Sequence, residues 1–298
     1  MNKFVLVALI LSLAFGSFAL PGGASAESQT GKTVVTLGAD LSQSQRQSLL
    51  QEMNVDSNVE TIDVSIADIR NYLHGGQSGG TPAAGDNKAY SSARITLQDS
   101  GNGIQVKANN VTRVTEQMYA NALLTAGIQD AQVYVTSPEP VTGTAALTGI
   151  MMAFEKASNK QISQEQRQVA NEEMKRTSEL GQQIGDQNKA ADFMNKVKEE
   201  IAKQQPKSEE EVRQIVVNVA GDLNINLNNQ QIQNVTNVMH DFSKLDIDWG
   251  ALSGQLDQLK GNLQKGLDWA KSEEAQGFFD QLLNWLSDLF SSLKSIFS

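Results

Sequence analysis

Residues Val133 to Ala157 read VYVTSPEPVTGTAALTGIMMAFEKA, and this stretch divides the chain. A β-branched and aromatic run, Val133 to Thr136, stops at Pro138 and Pro140, and a segment of small and apolar residues begins at Gly143. That pattern predicts a strand, a tight turn and a buried helix. Strand and helix signals alternate before it, and helix signals alone follow it. An α/β half therefore hands over to an all-α half at about residue 157.

In the first half, Thr33 to Leu37 is strand-like, and Ser42 with Gln45 forms the capping-box pattern of a helix start. Val59 to Ile66 alternates apolar and polar residues, as a half-buried strand does, and Ser65 or Asp68 opens a short helix. His74 to Asn87 is glycine-rich and predicts a loop. Ala93 to Gln98 and Ile104 to Ala108, joined by DSGNG, predict a hairpin. Thr115 caps a helix that stops at Gly127, a residue that tolerates the left-handed position after a helix, and Ala131 to Thr136 returns to the sheet. The expected order is β-α-β-α-β-β-α-β-α.

In the second half, a polar helix from Ile162 to Leu180 is interrupted by Gly181 and Gly185, and the next carries Ala190, Phe193, Val197 and Ile201. Ser208 with Glu211 matches another capping box, before an apolar stripe at Val212, Ile215, Val216, Val219 and Ala220. Trp249, Leu252, Leu256, Leu259 and Leu263 step by three and four residues, with Asp248 as the expected N-cap. Gly254, Gly261 and Gly266 lie in that helix, which predicts a close backbone neighbour or mobility. The stretches starting at Leu41, Ile162 and Leu227 look alike, and shared helix-entry chemistry explains this better than duplication, because they have no fixed period.

The blocks VTLGADLS (Val35 to Ser42), Ala122 to Ile150, TSELG (Thr177 to Gly181) and DIDWG (Asp246 to Gly250) resemble the uncharacterised secreted bacterial family typified by YpuA of Bacillus. The resemblance spans nearly the whole mature chain. It implies an extracytoplasmic protein of Firmicute-like bacteria, and it brings no established activity or catalytic residue.

Export is also read from the residues themselves. Lys3, an apolar run from Phe4 to Leu20, helix breakers and Ala24-Ser25-Ala26 make a secretory signal peptide over residues 1–26, the alternative being an uncleaved anchor. The chain has no cysteine, so thiolate metal sites, thiol nucleophiles and disulfides are excluded. Without Lys3 it holds 23 basic against 34 acidic residues, a balance of −11, so nucleic acid is not an expected partner. The only histidines, His74 and His240, lack ligand spacing to each other. No catalytic residue, cofactor or metal is expected.

Two candidate contact regions remain. Thr142, Gly143 and Thr144 form a turn whose free N–H groups suit an anion or ligand, the plainer reading being a threonine helix cap. In the last stretch, Phe278, Phe279, Leu282, Leu286, Leu289, Phe290, Leu293, Ile296 and Phe297 share an apolar face bordered by Trp285. Such a helix closes the bundle, or meets a membrane surface or an envelope protein. The expected fold is α+β or α/β. It comprises a mixed-sheet α/β domain (27–157), a helical domain (158–271) and an amphipathic aromatic-rich helix (272–298). The functional expectation is an exported cell-envelope interaction protein without enzymatic activity, possible partners being the membrane surface or an envelope protein. The alternative is a carboxylate-dependent hydrolase of a wall polymer.

Overall fold

A computed structural model describes residues 30–56, 58–74 and 88–270. The expected signal peptide, the glycine-rich stretch after His74 and the expected amphipathic stretch from residue 272 lie outside the described residues.

The chain runs β1 (Thr33–Gly38), α1 (Gln43–Glu52), β2 (Glu60–Val64), α2 (Ile66–His74), β3 (Ser92–Leu97), β4 (Ile104–Ala108), α3 (Glu116–Thr125), β5 (Ala131–Thr136) and α4 (Thr144–Ser158). Helices follow: α5 (Gln164–Ile184), α6 (Gln187–Gln204), α7 (Glu209–Asp222), α8 (Asn229–Ser243) and α9 (Trp249–Ala270). The α+β class and the order of elements are those the periodicities predict.

The five strands form one mixed sheet in the order β2-β1-β3-β5-β4. β1 runs parallel to β2, β4 runs parallel to β5, and β3 is antiparallel to both its neighbours. The expected β3–β4 hairpin is therefore not formed, because β5 lies between the two strands. The side chain of Asp130, just before β5, explains the redirection. Its Oδ1 accepts from the Gly101 and Gly103 amides at 2.9 and 2.8 Å, tying the DSGNG connection to the start of β5.

Helix entry follows local chemistry closely. Ser42, Ser163 and Asn228 each cap a helix in a reciprocal box with Gln45, Gln166 and Gln231, which accounts for the three similar stretches. Ser208 caps α7, but the Glu211 carboxylate accepts from the Lys207 amide at 2.6 Å instead of closing the box. Gly181 does not interrupt α5, which continues to Ile184 and ends at Gly185 in the left-handed region. A Cβ at Gly181 would lie 2.8 Å from Gln187 Cα, so close packing against the start of α6 accounts for the glycine. Asp248 caps α9 by accepting from Ala251 N at 2.9 Å, and nothing lies within 4 Å of a Cβ built on Gly254 or Gly261.

The two faces of the sheet differ. On one, Val34, Ile95, Val133 and Val106 face α3 and α4, and this core continues across the α4–α5 connection to Val197, Phe242 and Leu256. On the other, a small cluster of Val35, Leu37, Leu41, Leu49 and Met53 packs α1 over part of the sheet. Among the described residues, no helix covers the remainder of that face, called the open face below.

Candidate functional site

Strand alternation places Gln105, Lys107, Gln132 and Tyr134 on the open face, opposite to the buried Val106 and Val133. The pairing register aligns them into rows that cross the strands. Gln105, Gln132, Thr96 and Thr33 make one row. Lys107, Tyr134 and Arg94 make the next, which ends at Val35 beneath α1. Gln105, Lys107 and Gln132 are exposed, and Tyr134, Arg94, Thr96 and Thr33 are half-buried.

The last residue of α1 fixes this surface. Glu52 Oε1 accepts from Tyr134 Oη, Thr136 Oγ1 and Asn109 Nδ2, each at 2.8 Å. Burial works to raise its pKa, and the three hydrogen bonds, from Asn109, Thr136 and Tyr134, outweigh it and hold the carboxyl below its usual range. The Tyr134 hydroxyl is pushed up by burial and by the hydrogen bond and charge of Glu52, so it stays a donor. A carboxylate at a helix C-terminus opposes the helix dipole. Here the three donors offset that cost, and Arg94 Nη1 donates to the carbonyl of Met53, the C-cap of α1.

A recess of about 420 Å³ adjoins the amide and hydroxyl row, lined by Thr33, Thr96, Arg94, Lys32, Asn54 and Asn58 among others. Thr33 and Thr96 hydroxyls bond each other at 2.9 Å along its floor. The result is a polar platform on which Glu52, Tyr134 and Arg94 are held by hydrogen bonds and Lys107 is exposed.

Hydrolysis by a carboxyl pair requires one acid held above its usual range. Among the described residues, the resolved carboxyl shifts, at Glu52, Asp68 and Glu200, are all downward. No group of three or more His, Asp or Glu among the described residues could hold a metal ion. His74 and His240 sit on different helices, α2 and α8.

The Thr142–Thr144 turn lies at the start of α4, away from the rows of the open face. Neither threonine is the N-cap: Gly143 is, with φ 96° and no side-chain cap bond. A Cβ there would lie 2.4 Å from Val111 Cγ1 and 2.6 Å from Tyr119 Oη, and the Gly143 carbonyl accepts from that hydroxyl at 2.6 Å. Packing therefore accounts for the glycine. The threonine hydroxyls lie 3.3 Å apart. The apolar face from Phe278 to Phe297 lies outside the described residues.

The closed face contains a buried charge pair that periodicity did not reveal. Lys198 Nζ on α6 lies 3.0 Å from Glu173 Oε1 on α5, and the two side chains are 0% and 1% exposed. Lys198 also donates to the Asn121 carbonyl at 2.7 Å and to Thr125 Oγ1 at 3.0 Å, both on α3. Burial pulls the Lys198 ammonium below its ordinary range, and the charge and hydrogen bond of Glu173 oppose this. This buried cluster joins α3, α5 and α6.

A family model for proteins of unknown function, DUF1002, matches residues 37–259. This chain belongs to the DUF1002 family. It is 39% identical over 279 residues to the uncharacterised protein YpuA of Bacillus subtilis (strain 168), covering 93% of this chain and 94% of that protein. No solved structure matches this DUF1002 chain. The family match takes in the sheet from the end of β1, including the open-face residues of β3, β4 and β5, and most of the helical layer.

Proposed function

We propose that this DUF1002 protein is exported and acts as a non-enzymatic interaction protein of the cell envelope, meeting its partner with the open sheet face. The observation that carries this reading is the platform itself: Gln105, Lys107 and Gln132 exposed in register beside Tyr134, which is anchored on a carboxylate that three donors keep charged. The held Tyr134 and Glu52 side chains lose little freedom on binding. A charge-locked Glu52 suits recognition better than proton transfer at neutral pH.

Export rests on the signal-peptide pattern of residues 1–26. No helix among the described residues is long and apolar enough to cross a membrane. The Phe278 to Phe297 apolar pattern supplies a second attachment, to the membrane surface.

The test is co-sedimentation of residues 27–298 with insoluble cell-wall fragments and, separately, with liposomes. We expect retention on wall fragments that is lost in Gln105→Glu/Gln132→Lys, an opposite-charge cross-strand pair that the sheet accommodates. Liposome binding should be lost when the chain ends at Lys271. Equal retention of the wild type and the Gln105→Glu/Gln132→Lys variant would overturn the assignment of the open face.

A further inference from the structure

We infer that Asn102 is a site of spontaneous deamidation, and that Asp130 governs its rate by holding the Gly103 amide that attacks it. The inference is independent of the reading of the open face.

The chemistry starts from the dipeptide. Of the asparagines in the chain, Asn102 alone is followed by glycine. Glycine has no Cβ to hinder the approach of its own backbone nitrogen to the preceding side chain. The Gly103 nitrogen gives up its proton to hydroxide and attacks Asn102 Cγ. A C–N bond forms, the bond from Cγ to Nδ2 breaks, and the leaving nitrogen takes a proton from water to depart as ammonia. Water then opens the resulting succinimide ring at either carbonyl, giving aspartate or isoaspartate. Net, water is consumed and ammonia released.

The place is accessible, and the glycine comes with the turn. Asn102 is exposed between β3 and β4, so water and hydroxide reach its side chain. Gly103 has φ 70°, in the left-handed region, and a Cβ there would lie 2.9 Å from Gln258 Oε1 of α9. That backbone favours glycine at 103, which makes the residue before it reactive.

The folded turn restrains both partners of the reaction. Asp130 Oδ1 accepts from the Gly103 amide at 2.8 Å and from the Gly101 amide at 2.9 Å. The Gly103 nitrogen must leave that carboxylate before it can lose its proton and reach Cγ. Asn102 is turned the other way: its backbone N–H and its Nδ2 donate to the Asp99 carbonyl at 3.2 and 2.9 Å. Asp130 is itself held from α9, where Gln255 Nε2 donates to the same Oδ1 at 3.1 Å. The rate at Asn102 thus reads whether α9 is seated against the start of β5.

The product cannot regain this arrangement. Isoaspartate lengthens the main chain by one carbon directly before Ile104, which opens the pairing of β4 with Ala131 of β5. Either product adds a carboxylate to a turn that already holds Asp99 and Asp130, and like charges repel. Deamidation therefore loosens the start of β4.

Residues 27–298 kept at mildly alkaline pH, folded and in urea, test this, with the Asn102 peptide followed by mass spectrometry for replacement of its amide by an acid. We expect ready conversion in urea and slow conversion in the folded chain. Asp130→Ala should speed the folded reaction about ten-fold. Asp130→Asn keeps an oxygen acceptor and suits the φ of 48° at this position, so it should stay near the wild-type rate. Circular-dichroism melts establish that each variant is folded. Should Asp130→Ala not fold, Gln255→Ala decides in its place, by speeding the reaction about three-fold as the carboxylate is freed from α9. No conversion at Asn102 in urea overturns the site. Equal rates in the folded and urea-unfolded chain, an unchanged rate in the folded alanine variant, or Asp130→Asn as fast as Asp130→Ala, overturns the control by Asp130.

Discussion

The two faces of this sheet are built from strands with the same alternating pattern, yet they are finished in opposite ways. The closed face meets α3 and α4, and behind them a fully buried Lys198–Glu173 pair ties α3, α5 and α6 together. Among the described residues, the open face is covered only in part by α1, and its charges are exposed or half-buried, with Glu52 held by hydrogen bonds. The difference teaches where function can reside in a chain without cysteine or paired histidines. Buried charge on the closed side serves the architecture, while fixed polar groups on the open side remain within reach of a partner.

The largest contrast should come from breaking the closed side. Lys198→Ala leaves Glu173 buried without its partner and should cost about 3–5 kcal/mol in urea denaturation. The double variant Glu173→Leu/Lys198→Met should recover most of that loss, since the desolvation of both charges is removed together. A double variant as unstable as the single would mean that the pair contributes more than its own compensation.

Next in size is Gly143→Ala, at φ 96° with Val111 and Tyr119 in the way of a Cβ. It should destabilise by about 2–3 kcal/mol in the same assay, as a strained backbone and a displaced neighbour together require. It should leave the open face unaltered, so retention on wall fragments by the folded protein should persist. Loss of retention at full folding would restore the Thr142–Thr144 turn as a contact region.

The open side should give smaller effects on stability. Glu52→Gln should cost about 1 kcal/mol, because the amide oxygen can still accept from the Tyr134, Thr136 and Asn109 donors while the charge is lost. Its pH dependence has a definite sign. The folded carboxyl lies below the unfolded value of about 4.3, so its contribution is complete above that value and is lost as pH falls through the folded pKa. The wild type should therefore lose its advantage over Glu52→Gln when thermal melts are taken on descending through that acid range. An advantage that grew on acidification would contradict the hydrogen-bonded carboxylate. Smallest of all, Gln105→Ala and Gln132→Ala should change stability by no more than about 0.5 kcal/mol.

Much of the fold was legible because its signals are local. Capping boxes at Ser42, Ser163 and Asn228, the Gly127 stop and the alternation of β2, β4 and β5 depend on residues a few positions apart. The hairpin reading failed because pairing of β3 is decided by β5 and by Asp130, more than thirty positions downstream. Glu173 and Lys198 also escaped, although each carried a signal. Glu173 lies four residues after Val169, and Lys198 lies four after Met194 and three before Ile201, so both occupy apolar stripes. The open face was half visible: IQVKA and AQVYVT alternate, which assigns one polar side to each strand. That the two polar sides meet in register, and that Glu52 on α1 closes over them, depends on tertiary contacts.

The central claim is that the open face, and not the helical layer, meets the partner. Amine labelling of residues 27–298, alone and with wall fragments from Bacillus subtilis, tests it most directly. Lys107 on the open face and Lys175 on α5 are both accessible, with side chains 77% and 47% exposed. The account predicts that wall fragments protect Lys107 several-fold and leave Lys175 labelled as before. Protection of Lys175 with Lys107 unchanged would contradict it.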